Sequence, residues 1–322
     1  MITKAYIYGL KALRKLYSSN FEIEKPAKPS RDMSPDSVAS IIAKALYSKE
    51  PTMIARFGST EMVALCNYMA VKNKNKEIVN YIKGSAPGWW WEPSIVNQMQ
   101  QWSGFFPSTT ENLAKFGELM LNDISQVDIL GSWLPQELFF EKELQPAYKI
   151  DFELLNPYFA NIPWTQALAG KKVLVVHPFS NTIQKQYKKR ELLFANNLLP
   201  EFHLQTIKAV QSIAGERTPF NDWFEALDYM KSEIDKCDYD VCLIGAGAYG
   251  FPLAAHVKRM GKQGIHMGGS LQLLFGIRGR RWENENYNPD YNFAKLVNEH
   301  WVKPNEEETP ANASSVEGAC YW

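Results

Sequence analysis

Several short segments of this 322-residue chain carry the residue types and spacing that handle anionic ligands. Gly245-Ala-Gly247-Ala-Tyr249-Gly250 follows an apolar run and opens a helical pattern. Glycines there permit a tight turn and let backbone N–H groups approach a phosphate at the positive end of the helix. The dinucleotide version of this turn wants an acid about 20 residues further on, to hold a ribose hydroxyl. Here the next strand runs into His266-Met267-Gly268-Gly269-Ser270 and supplies none, which points away from NAD and toward a smaller phosphate ligand. A ligand-free strand–helix turn is the plain alternative.

Two more segments sit where a strand hands over to a helix, the edge at which open α/β sheets bind ligands. His177-Pro178-Phe179-Ser180-Asn181 is followed by Gln184, Lys188 and Arg190, and an arginine fork suits a diphosphate. His177 could be a base, a ligand or a donor, or could simply fill a strand end. Arg56-Phe57-Gly58-Ser59-Thr60-Glu61 places an arginine and a carboxylate five residues apart, suited to a phosphate and a metal, or to each other as an ion pair.

Trp89, Trp90 and Trp91 lie in a stretch of little regular pattern, with Trp102, Phe105 and Phe106 nearby. Flat rings give sugars an apolar platform, so the tryptophan triplet is the expected acceptor surface, core filling being the alternative. Arg278, Arg280 and Arg281 form a basic patch next to Trp282, fit for a diphosphate or an anionic acceptor, or for solvent.

The elements that must position these residues alternate between short apolar strands and helices. Strands are expected at Thr52–Ala55, Val127–Leu130, Lys172–Val176, His203–Ala209, Asp240–Ile244 and Gly264–Met267. Helices are expected over 36–48, 60–72, 111–125, 182–196, 219–236 and from 250 to about Met260, while 135–165 gives little signal. That alternation predicts an α/β fold, a Rossmann-like, mostly parallel sheet with helices on both faces. Residues 2–17 place Ile2, Tyr6, Leu10, Leu13 and Tyr17 on one helical stripe, with Lys4, Lys11, Arg14 and Lys15 off it. Such a basic amphipathic helix either rests on an anionic membrane surface or packs on its own domain. The expected organisation is this helix and a linker (1–35), one domain (36–302, with halves 36–165 and 166–302) and a flexible tail (303–322).

Composition narrows the function. Lysines and arginines balance aspartates and glutamates at 35 each, so no global field draws the chain to nucleic acid. Any acidic ligand must be held by a local cluster. The four cysteines lack metal-type pairing, which favours reduced thiols and a cytoplasmic location, either free or peripheral at the inner face of the plasma membrane. No stretch approaches the roughly 20 apolar residues that span a bilayer.

The segment Arg56-Phe57-Gly58-x-x-Glu61 resembles the R-F-G-D-G-E signature of the GT-D-fold glycosyltransferases of bacterial surface-polysaccharide and glycoprotein assembly. The runs at 177–187, 243–262 and 265–282 resemble segments of chains found in capsule and O-antigen gene sets, so the likeness covers roughly 50–282. In that family the aspartate and glutamate of the signature are associated with metal and nucleotide-sugar binding. Glu61 matches the glutamate. Ser59 stands in the aspartate's place, and a hydroxyl is a much poorer ligand for Mg²⁺ or Mn²⁺ than a carboxylate.

The resemblance implies transfer of a sugar, of hexosyl type, from a nucleotide-sugar donor to a hydroxyl of a growing, lipid-linked surface glycan, with Mg²⁺ or Mn²⁺ as cofactor. The residues expected to hold the donor are Arg56, Gly58, Ser59, Ser180, Asn181, Arg190, Gly245, Gly247, Tyr249, Gly250, His266, Gly268, Gly269 and Arg278. Glu61 is the expected metal ligand. Glu61, His177 and Asp222 are the candidates for the general base that an inverting reaction needs. The rival readings are an NAD(P)-dependent oxidoreductase acting on a nucleotide-sugar and a non-catalytic partner in a glycan-assembly complex.

Overall fold

Among the described residues seven short strands meet in a single parallel sheet. They are β1 (Thr52–Ala55), β2 (Ile129–Ser132), β3 (Tyr148–Asp151), β4 (Lys172–His177), β5 (His203–Lys208), β6 (Val241–Ile244) and β7 (Gln263–His266). The computed structural model describes residues 3–23, 27–315 and 320–322. The sheet order is β3-β2-β1-β7-β6-β4-β5, with every pairing parallel. β1 to β3 therefore step outward on one flank and β4 to β5 on the other, while β6 and β7 return to fill the centre.

Central strands of a parallel sheet are covered on both faces, which is why they read as continuous apolar runs. Successive side chains alternate between two cores: Leu174 and Val176 of β4 enter one, Val173 and Val175 the other. Among the described residues twelve α-helices flank or extend the sheet. The first six are α1 (Lys4–Asn20), α2 (Pro35–Ser48), α3 (Ser59–Lys72), α4 (Ile78–Lys83), α5 (Pro93–Ser103) and α6 (Thr110–Ile124). The rest are α7 (Ser180–Tyr187), α8 (Arg190–Leu193), α9 (Trp223–Asp235), α10 (Gly250–Arg259), α11 (Leu271–Leu274) and α12 (Arg280–Glu283). α3, α6, α9 and α10 supply the first core, and α2, α7 and α11 the second. None of the described helices is long and apolar enough to cross a membrane.

The structure departs from the sequence expectations in four places. β3 forms inside 135–165, paired along its whole length with β2. The expected helix over 182–196 breaks at Lys188-Lys189 into α7 and α8. The expected linker is docked after residue 26: Asp32 bridges Ile150 of β3, and Arg31 pairs with Asp151 at 2.8 Å. Residues 24–26 of that linker lie outside the described residues. The expected flexible tail is also packed, since Glu308 is buried and Trp322 nearly so, while its residues 316–319 lie outside the described ones.

Candidate functional site

The carboxyl ends of all seven strands open onto one cleft of about 500 Å³. It lies at the edge where strand order reverses and helix N-termini converge, the expected ligand position in such a sheet. β1 delivers Arg56, Gly58, Ser59 and Glu61; β2 delivers Trp133; β3 delivers Phe152 and Glu153. β4 contributes His177, β5 Ser212, β6 the turn Gly245–Tyr249 and β7 the run His266–Ser270. Arg281, Trp282, Tyr287, Tyr321 and Trp322 close the far side.

The glycines have specific reasons to be glycines. Gly268 adopts a left-handed φ of 69°, and a Cβ there would stand 2.8 Å from Arg56 Nε. The Arg56 guanidinium thus lies against bare backbone. Its Nη1 donates to the Phe57 carbonyl at 2.9 Å, and it pairs with no carboxylate among the described residues. A Cβ at Gly245 would stand 2.8 Å from the Gly268 carbonyl oxygen, so the β6 and β7 turns touch backbone to backbone. Just beyond them the 3₁₀ turn Gly247–Tyr249 runs straight into α10, where the Gly250 amide donates to the Gly247 carbonyl and Pro252 has no N–H, so the start of α10 is not an open anion-binding terminus.

The charged groups lining the cleft are Arg56, Arg281, Glu61 and Glu153. Arg281 is held by aromatic rings, its guanidinium carbon 5.0 Å from the centre of Tyr321, and Nη2 donates to Cys320 Sγ at 3.2 Å. Glu61 sits in the first turn of α3 with its carboxylate folded back over Gly58, and no described residue bonds to it. Glu153 is only 5% exposed, and it accepts from Asn288 Nδ2 at 3.1 Å and Asn156 Nδ2 at 3.3 Å. Burial pushes its carboxyl up to about 7, the Asn288 bond pulling back and Asp151 adding to the rise, with Arg56 and Arg281 also holding it down.

Both histidines are neutral. Burial drives His177 down to about 3, and its Nδ1 accepts from the Phe179 amide at 3.0 Å, which leaves the proton on Nε2. His177 is therefore a donor to the cleft, not the base expected of it. His266 is lowered to about 3 by burial and then by the Arg56 charge, and its Nδ1 meets the Ile244 carbonyl at 3.3 Å. Its ring packs over Gly250, so that glycine serves the fold. Two atoms in cleft-lining residues, Gln272 Oε1 and Trp322 Nε1, are buried without a hydrogen-bond partner among the described residues.

Several expected site residues lie elsewhere. Asp222 caps the N-terminus of α9 by accepting from the Glu225 amide at 2.8 Å, and it does not line the cleft. Ser180 and Asn181 begin α7, whose N-terminus is already occupied by an internal anion: Glu308 accepts from the Asn181 amide at 2.8 Å and from Thr182. Arg190 pairs with Glu191 and Glu201 over the Tyr187 ring, outside the cleft. Arg278 pairs with Glu283 at 2.6 Å, and Arg281 is the member of that patch that reaches the cleft. Trp89 and Trp90 are buried with Tyr81 beneath Leu10 of α1, and Trp91 packs on Tyr68. The aromatic lining comes instead from Trp102, Trp133, Phe152, Trp282 and Tyr287.

A family model described as a GT-D fold-like domain matches residues 33–274. The chain belongs to the GT-D-like family. Among solved structures it is similar to one described as a selenomethionine-substituted domain of unknown function 1792, at 12% identity and a TM-score of 0.39, covering 92% of this chain and 96% of that one. It is also similar to a glycosyltransferase from Streptococcus sanguinis, at 13% identity and a TM-score of 0.36, over 89% of this chain and 98% of that one. Comparison with curated proteins gives no match.

The GT-D-like motif in this chain offers a metal little to bind. It supplies the Glu61 carboxylate and the exposed Ser59 hydroxyl, and no group of three His, Cys, Asp or Glu gathers among the described residues. Glu153, the other cleft carboxyl, is held up toward its protonated form and bonded to two asparagines. Divalent Mg²⁺ or Mn²⁺ needs about six oxygen ligands. The residues present do not make a preformed metal site, so no step below runs through one.

Sequence reasoning missed Glu153 because it missed β3. Its signal is positional: it is the second residue past a strand end at the ligand edge, the context that singled out Arg56 and His177.

Proposed function

We propose that the chain transfers a hexosyl group from a nucleoside diphosphate donor to a hydroxyl of a lipid-linked glycan. The observation that carries this reading is that Arg56 and Arg281 line one cleft together with the Gly245–Tyr249 turn, in a chain of the GT-D-like family. The two guanidinium groups offer a diphosphate the positive charge it needs as it leaves.

In the reaction the bond from the anomeric carbon to the diphosphate oxygen breaks and the acceptor oxygen bonds to that carbon. The diphosphate departs with the bonding electrons toward Arg56 and Arg281. The acceptor hydroxyl gives its proton to the Glu153 carboxylate, a base whose pKa near 7 matches the working range. Glu61, which no described residue engages, accepts hydrogen bonds from donor hydroxyls, and the His177 Nε2–H donates into the same space. The rings of Trp102, Trp133 and Trp282 suit the apolar faces of the sugars.

The test is a donor panel of UDP-, GDP- and CMP-sugars, assayed by thermal stabilisation and by acceptor-dependent release of nucleotide. The reading expects a UDP- or GDP-sugar to raise the melting temperature and be turned over, with Glu61→Gln losing turnover at an unchanged melting temperature; turnover of a CMP-sugar, which releases a monophosphate, would count against it. Stabilisation by NAD alone would transfer support to an oxidoreductase.

A further inference from the structure

α1 is built the opposite way from a surface helix. Its inward face carries charge: Lys11 pairs with Glu92 at 2.6 Å, and the Arg14 guanidinium lies over the Tyr81 ring at 4.9 Å, around the single buried residue Leu10. Its outward face is apolar. At 100° per residue the inward side is set by Ile7, Leu10, Lys11, Arg14 and Tyr17, and exposed Tyr8, Leu16, Leu13 and Tyr6 span the remaining arc, with Ala5, Gly9, Ala12 and the last-turn Ser19 and Asn20 among them. Tyr8 is 68% exposed and Leu16 62%, values at which a helix normally shows charge. Lys4 and Lys15 border the Tyr8 edge of this arc, exposed and unpaired with any described residue. The adjoining α4 adds exposed Ile78 and Val79.

We propose that this face docks on an anionic lipid bilayer. Charge supports the choice: Lys4, Lys15, Lys74 and Lys83 are exposed and unpaired with any described residue, against Glu22 and Glu77 nearby, in a chain whose net charge is zero. An apolar arc edged by lysines, with tyrosines at its margins, matches the boundary between acyl chains and anionic headgroups. A second copy of the chain fits less well. Seventeen residues make a helix about 25 Å long, and one face of it covers about 250 Å², against about 800 Å² per partner in a stable interface. The same helix is tied to the cleft: Glu92 is the N-cap of α5, and about 16 Å further along, α5 ends at Trp102 and Ser103 in the cleft wall.

The test is flotation of the full chain with vesicles of phosphatidylcholine, with and without phosphatidylglycerol. Binding is expected only to the anionic vesicles and is expected to weaken as salt rises. Lys4→Gln/Lys15→Gln should lower the binding constant roughly thirtyfold, about fivefold per lysine. Leu13→Glu/Leu16→Glu should abolish binding with the melting temperature unchanged, because both residues are exposed. The proposal is overturned if neither vesicle binds, or if the leucine variant binds like the parent. It is equally overturned if the parent dimerises in sedimentation and the leucine variant does not.

Discussion

Replacing Glu153 by glutamine should make the protein more stable and less active at the same time. In the folded chain this carboxyl titrates near 7, against an ordinary value of 4.5. Below pH 4.5 it is protonated whether folded or unfolded and contributes nothing. As pH rises toward 7 the unfolded chain ionises first, so stability is lost across that window and stays lost above it. The loss approaches about 3 kcal/mol. Glutamine cannot ionise, so the variant recovers that amount at pH 8 and nothing at pH 4. With about 2.1 cal/mol/K of unfolding entropy per residue, the gain at pH 8 corresponds to about 4 °C in melting temperature. The amide also fits: Asn156 Oδ1 is buried without a partner, and an amide flip would let it accept from glutamine or from the protonated acid. Parallel melts of both proteins at pH 4 to 8, with transfer rates at pH 8, are the assay. Turnover should fall at least a hundredfold, and the parent's kcat/KM should climb to a plateau through about pH 7. The reasoning fails if the variant loses stability equally at every pH, or transfers sugar at the parent's rate.

Other substitutions separate the cleft from its surroundings. Arg56→Lys keeps the charge and loses the fork, so kcat/KM should drop about ten- to hundredfold, with no fall in melting temperature. Asp222→Ala removes the α9 cap and should cost about 1 kcal/mol in denaturant melts while leaving transfer rates intact. Trp90→Ala should cost about 3–5 kcal/mol by opening the cluster under α1, with the KM for donor unchanged in the folded fraction. Glu308→Gln should loosen α7 by about 1–2 kcal/mol, and a donor Kd that stays constant by calorimetry would confirm that this helix end is structural.

What the sequence revealed depended on how locally each feature is encoded. β1 and β4 were legible because strands buried on both faces read as apolar runs, and Arg56, Glu61 and the 245–250 glycines were legible because strand ends mark the ligand edge. β3 was not: Tyr148-Lys149-Ile150-Asp151 has one fully buried apolar residue, and it is held by pairing with β2 and by Asp32 from far along the chain. Glu153 was lost with it. The roles of Ser180 and Asn181 were misjudged because a helix N-terminus attracts any anion, and only the fold reveals that Glu308 arrives from 126 residues away. Trp89 and Trp90 look the same in sequence whether they face a sugar or, as here, the underside of another helix.

The central claim is that Arg56 and Arg281, beside the Gly245–Tyr249 turn, together grip a diphosphate. A crystal structure of the chain with a bound nucleoside diphosphate tests this most directly. The account predicts phosphate oxygens within hydrogen-bonding reach of both guanidinium groups, beside Gly245–Tyr249. A diphosphate seated at the start of α7 with Glu308 displaced, or one touching neither arginine, would contradict it.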